Sequence, residues 1–196
     1  MEPLATVEDM EALGVPVEDE ERPIVERYLD VASAGVRDAA GVPITEATTT
    51  VMVEGSMDRR LRLPGPPVST VEEIVLDGDQ VEDHRVLPDG VWRREGWSSP
   101  TGVPTMVEVT YTHGLPRVPA DIVALVCRIA ATTLMAHRSD ETGGGIGVRR
   151  VTQLRIGDYS ASFADDGTMT EVELPETTRS RLRARFGGGA AVVRST

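Results

Sequence analysis

Lysine is missing from this 196-residue chain, so all 20 basic side chains are arginine. A GC-rich genome produces that bias, because arginine codons are rich in G and C and lysine codons are not. Cysteine is nearly missing too. The single Cys127 excludes an intrachain disulfide and any cysteine-rich metal centre, and its place in an apolar run predicts a small buried side chain. Aromatic residues are only 4% of the chain, so few large side chains can fill a core, while 19 glycines and 13 prolines predict many turns. A modest core with long excursions is expected, of a kind that neighbouring subunits stabilise. The longest apolar stretch, Ile122 to Ala136, is interrupted by Arg128 and falls short of the ~20 residues that span a bilayer. Met1-Glu2-Pro3 has neither a basic nor an apolar leader segment, so no signal peptide is expected, and a reducing aqueous compartment follows.

The charge that is present is uneven. Net charge is -12, which argues against a nucleic-acid binder, since phosphate affinity rests on cationic side chains, but not against a surface that DNA slides past. Residues 1–30 carry ten acids against Arg22 and Arg27, whereas residues 176–196 carry five arginines against Glu176 alone. Ends of opposite sign suggest segments that meet different partners.

Periodicity predicts an α+β chain, with two long core helices, short terminal ones and an antiparallel β meander inserted between the long helices. Thr6 is the expected N-cap of a first short helix closed by Leu13-Gly14. A longer helix is expected from about Glu20 to Ala40, with Ile24, Tyr28, Val31, Ala32, Gly35 and Ala39 as its apolar stripe. From about Thr48 to Tyr111 the rhythm turns to alternation. Thr49, Val51 and Val53 alternate with Thr50, Met52 and Glu54, Asp77-Gly78 is a hairpin pair, and five or six short strands are expected. Val118-Pro119-Ala120-Asp121 opens the second main helix, whose body to Ala136 is apolar nearly all round. Residues 142–147 read as a glycine-rich linker, Val151 to Phe163 as an extended segment, and Pro175 opens a last, arginine-rich helix ending near Phe186. The expected divisions are 1–47, 48–112, 113–138, 139–174 and 175–196.

Candidate chemistry is sparse, and the expectation is a protein that is not an enzyme and uses no cofactor or metal. Gly143 to Gly147 lacks the Lys-Ser/Thr that completes a phosphate loop. His84, His113 and His137 stand apart, without metal-ligand spacing. Ser98, Ser99 and Ser160 have no nucleophile-elbow sequence around them, and Asp77, Asp79, Asp89, Asp165 and Asp166 fall at turns.

Four ordered segments carry a family resemblance: Leu4-Ala5-Thr6-Val7-Glu8-Asp9, Val109-Thr110-Tyr111-Thr112-His113-Gly114, Val118-Pro119-Ala120-Asp121-Ile122, and Ile156-Gly157-Asp158-Tyr159-Ser160-Ala161-Ser162-Phe163. In this order they resemble the head-to-tail adaptor (head-tail connector) proteins of long-tailed phages, especially those of actinobacterial hosts. The segments cover roughly half the chain, and the strand-rich region at 48–104 is longer than the minimal helical adaptor pattern. The resemblance implies that the chain is mainly a helical bundle carrying the β meander as an insertion, and that it is a structural virion protein of the neck. Copies would form a ring, a dodecamer, below the portal, contacting the portal protein on one side and a stopper or tail-completion protein on the other. Genomic DNA would pass through without specific binding, and no membrane would be involved. A different virion ring, a stopper or tail terminator, is the alternative, with a small enzyme behind it.

Two sets of residues are singled out on physical grounds. The first is a portal-docking arm, in which Arg179, Arg181, Arg183 and Arg185 steer and the apolar tip at Val192 and Val193 anchors after a glycine joint. The second is Asp158, Tyr159, Ser160, Ala161, Ser162 and Phe163, an extended stretch able to pair with a neighbouring subunit or a tail-side protein.

Overall fold

The computed structural model describes residues 1–98, 104–142, 153–156, 159–163 and 169–187. In chain order the elements are α1 (Val7–Ala12), α2 (Arg22–Ala40), β1 (Ala47–Glu54), β2 (Arg60–Arg62), β3 (Val68–Leu76), β4 (Asp79–Gln80), β5 (His84–Leu87), β6 (Gly90–Arg93) and β7 (Met106–His113). After these come α3 (Ala120–Thr142), β8 (Gln153–Ile156), β9 (Tyr159–Phe163), β10 (Met169–Glu173) and α4 (Glu176–Phe186). The chain divides into two compact units, Met1–Ala39 with Val118–Arg181, and Ala40–Arg117 with Leu182–Thr196.

The first unit combines helices with a small sheet. Thr6 caps α1 in a full capping box: its hydroxyl accepts from the Asp9 amide at 3.3 Å, and the Asp9 carboxylate accepts from the Thr6 amide at 2.9 Å. α2 buries Val25, Tyr28, Leu29, Ala32, Ser33, Val36 and Ala39. That stripe is rotated from the expected one: Ile24, Val31 and Gly35 are only half-buried, and Val25, Leu29 and Val36 take the core positions. The Ser33 hydroxyl accepts the Leu4 amide at 2.8 Å. α3 is buried on several sides, through Ile122, Leu125, Val126, Cys127, Ile129, Ala130 and Leu134, while Arg128 is exposed. Ala120–Arg138 is long and apolar enough to cross a bilayer by length and composition, contrary to the expectation from its shorter apolar core; half of it is buried inside the protein, as in a core helix. Glu21, just before α2, grips Arg138 of α3 with a two-point fork of 2.7 and 2.5 Å, and Arg138 also donates to the Pro16 carbonyl at 3.0 Å.

The expected helical bundle is not what forms. Helix is about 37% and strand about 29%, in an α+β arrangement of antiparallel sheets and four helices, some of them short, rather than a bundle built on two long core helices. The reason is visible at Gly35. A Cβ there would meet the Val172 carbonyl at 3.2 Å and the Val172 Cβ at 3.3 Å, so α2 lies directly on β10. β10 belongs to a three-stranded antiparallel sheet, ordered β10-β9-β8, inside the stretch expected to be flexible linker and extended loop or hairpin.

The second unit is built on two antiparallel sheets, ordered β1-β7-β3-β4 and β2-β6-β5. This is not a simple meander, because β7 inserts between β1 and β3. Alternation works as expected in β7, where Val107, Val109, Tyr111 and His113 point inward. The Asp77-Gly78 hairpin has both φ angles positive, 50° and 97°, as its type I′ turn requires. Trp97 is fully buried and donates its indole N–H to the Arg59 carbonyl at 3.1 Å. Gly55 is obligatory beside it, since a Cβ would fall 1.8 Å from the Trp97 carbonyl oxygen.

Candidate functional site: an arginine-framed sheet face

The pattern Arg60-Leu61-Arg62 in β2 buries Leu61 and turns both arginines outward. β6 lies between β2 and β5, and its register sets Arg60 and Arg85 directly opposite Trp92, on either side of it. Directly opposed residues share a face of the sheet. One row is therefore Arg60, Trp92, Arg85, and the next is Arg62, Gly90, Leu87. Gly90 leaves the middle of that second row without a side chain. The three arginines are exposed and Trp92 is half-buried, presenting a flat apolar surface framed by guanidinium groups.

Beside this face is an open hollow of about 520 Å³, lined among others by Ser56, Asp58, Arg59, Arg60, Arg62 and Trp92. Arg60 is engaged with Asp89, whose carboxyl it holds below its ordinary value by a direct hydrogen bond. Arg59, Arg62 and Arg85 enter no ion pair among the described residues. The lining of the hollow holds three arginines against Asp58, with Asp89 paired to Arg60 and also near Arg62, in a chain of net charge -12. Arginine forks match carboxylates bidentately, and an aromatic ring adds area and cation–π attraction, so the face suits an acidic partner with some apolar surface. Its signal in the sequence is the Arg-Leu-Arg alternation with a tryptophan two residues after a turn glycine; only the strand register brings those residues together.

His113 is a structural group. Its Nδ1 lies 3.0 Å from the Gly65 carbonyl, an acceptor only, so Nδ1 carries the proton and Nε2 accepts from the Thr49 hydroxyl at 3.0 Å. Burial holds its pKa below the ordinary value, and its ring lies 4.8 Å from that of Tyr111, which in turn donates to the Pro64 carbonyl at 2.8 Å. Cys127 is buried, and burial pushes its thiol up to about 11. Among the described residues no group of His, Cys, Asp or Glu is arranged to hold a metal ion.

The two sets named from the sequence fall differently. Arg181, Arg183 and Arg185 project outward from α4, Arg179 is half-exposed 4.0 Å from Glu176, and Leu182 and Phe186 are buried on the other side. Arg185 also lies 4.9 Å from the Phe186 ring centre. Val192 and Val193 lie outside the described residues, as do Asp158 and the glycines at 143–147. Tyr159, Ser160, Ala161, Ser162 and Phe163 are β9, the middle strand of its sheet, with β8 along one edge and β10 along the other. A strand added to this sheet would meet β8 or β10.

No family model matches the sequence, and no curated protein matches it.

Proposed function

We propose that this chain is a structural adaptor of a phage neck: copies assemble into a ring between the portal and a stopper or tail-completion protein, and DNA passes through. The observation that carries this reading is the segregation of surface chemistry. Exposed acids crowd the N-terminal helices, while an arginine–tryptophan face and an arginine-rich helix occupy separate places along the same chain. Surfaces of opposite character on one subunit suit head-to-tail contacts between identical copies, and such contacts close into rings when the rotation permits. An acidic balance also keeps a bore from holding the DNA that moves through it. The resemblance of four ordered segments to head-to-tail adaptors supports the same reading.

In this reading α4 and the residues after it reach the portal, with Arg179, Arg181, Arg183 and Arg185 steering and Val192 and Val193 anchoring. Negative-stain electron microscopy of the purified protein across a concentration series, together with mass spectrometry of virions encoding it, tests the assignment. Closed rings and presence in the virion are expected. A protein that stays at 21.1 kDa at every concentration and is absent from virions defeats it.

A further inference from the structure

The arginine–tryptophan face needs an occupant that supplies carboxylates around an apolar contact. Nucleic acid fits poorly, because the chain as a whole is strongly negative and repels phosphate. An occupant with the right chemistry is present in the chain itself. Around the turn that precedes α2, Glu18, Asp19 and Glu20 are all exposed, and Glu26 follows on the first turns of the helix. Arg22 ties this turn to α1, contacting Glu8 at 3.2 Å, Glu11 at 3.8 Å and Asp19 at 3.8 Å. Glu18, Glu20 and Glu26 enter no ion pair among the described residues. Leu13, at the end of α1, is 56% exposed, a large apolar side chain with acids on both sides of it in the chain.

We propose that the arginine–tryptophan face of one copy receives the acidic turn at Glu18–Glu20, the neighbouring Glu26 and the exposed Leu13 of the next copy, in a head-to-tail contact. Arg62 and Arg85 take the carboxylates in forks, and Trp92 covers Leu13. The two patches are different surfaces, so the contact is heterologous and repeats from copy to copy. This inference rests on the ring reading and names the surfaces that would build the ring.

Charge exchange in the full-length chain tests it. One variant carries Arg62→Glu and Arg85→Glu, the other Glu20→Arg and Glu26→Arg; all four positions are exposed, and circular dichroism checks that both variants stay folded. By sedimentation velocity the wild type is expected to assemble, and each variant alone to associate at least about tenfold more weakly, because every contact then sets like charges together. Mixed, the two variants are expected to assemble again, since each contact between unlike copies is complementary. Trp92→Ala is expected to weaken assembly without any change of charge, and Trp92→Phe to restore it in part. Raising salt to 1 M, where the screening length falls to about 3 Å, should weaken the wild-type assembly. Wild-type-like assembly by the arginine variant alone overturns the inference and leaves the ring standing. A wild type that remains monomeric overturns both. Tight binding of short duplex DNA that is lost in the arginine variant would make the occupant nucleic acid and overturn the inference as well.

Discussion

Replacing Glu21 with alanine should destabilise the first unit by about 1–2 kcal/mol at neutral pH, a figure that follows from its fork with Arg138. Both carboxylate oxygens are engaged: Oε1 accepts from Arg138 Nε at 2.7 Å, and Oε2 accepts from Arg138 Nη2 at 2.5 Å and from the Glu18 amide at 3.0 Å. The Arg138 hydrogen bonds, more than any other influence, bring the carboxyl from its ordinary 4.5 to about 2. Taken at face value that difference corresponds to about 3 kcal/mol. The Glu21 and Arg138 side chains keep 19% and 34% of their exposure, so water screens the pair and lowers the net value to about 1–2 kcal/mol. A carboxyl with a depressed folded pKa contributes stability above its unfolded value, so the contribution is complete above pH 4.5 and is lost as pH falls toward 2. Urea unfolding followed by helical circular dichroism, in a double-mutant cycle with Arg138→Ala, measures the coupling. Tryptophan fluorescence reports the second unit alone, because both tryptophans, Trp92 and Trp97, lie there. A coupling below about 0.3 kcal/mol at pH 7, or one that does not change between pH 7 and pH 3, refutes the reasoning.

Gly55→Ala should destabilise the second unit by about 3 kcal/mol or more, since the new methyl meets the Trp97 backbone rather than a side chain able to move; fluorescence-monitored unfolding reads it. Because burial lowers the His113 pKa, the unfolded chain takes up its proton first, and the second unit should lose stability as pH drops below 6.5. His113→Gln should flatten that dependence between pH 7.5 and 5. Tyr111→Phe should cost about 1 kcal/mol through the lost bond to the Pro64 carbonyl, measured in the same assay. Under the proposed neck-adaptor role, changing Arg179, Arg181, Arg183 and Arg185 together to Glu, or removing residues 187–196, should leave a folded subunit and yield DNA-filled heads without tails. Normal infectious particles from those variants would remove the docking arm from the account.

What could be read from the sequence was local. The Thr6 cap, the Asp77-Gly78 hairpin and the inward row Val107, Val109, Tyr111 each depend on neighbours a few residues away, and each forms as the pattern predicts. What covers each element was not legible. The apolar spacing of α2 does not say what packs against the helix, and the close approach of Gly35 to Val172 joins residues more than a hundred positions apart. β1 and β7 are separated by more than fifty residues, so alternation alone could not place β7 between β1 and β3. For the same reason Arg60, Arg85 and Trp92 stood in three unconnected strands until register aligned them. On α4 the exposed Arg181, Arg183 and Arg185 lie opposite the buried Leu182 and Phe186.

Each unit is assembled from two separate stretches of chain, and this sets an order during synthesis. The first unit needs residues 118–181 to cover α1 and α2, while Ala40–Arg117 is one unbroken stretch that holds nearly all of the second. At ~5–20 residues per second, about 4–16 s separate the synthesis of Ala39, the end of the first stretch, from that of Val118, the start of its other half. During that interval Ala40–Arg117 is made, so it emerges ahead of α3. The nascent chain therefore carries an acidic N-terminal segment well before the residues that complete its unit exist, and charge keeps that segment dissolved until they are made.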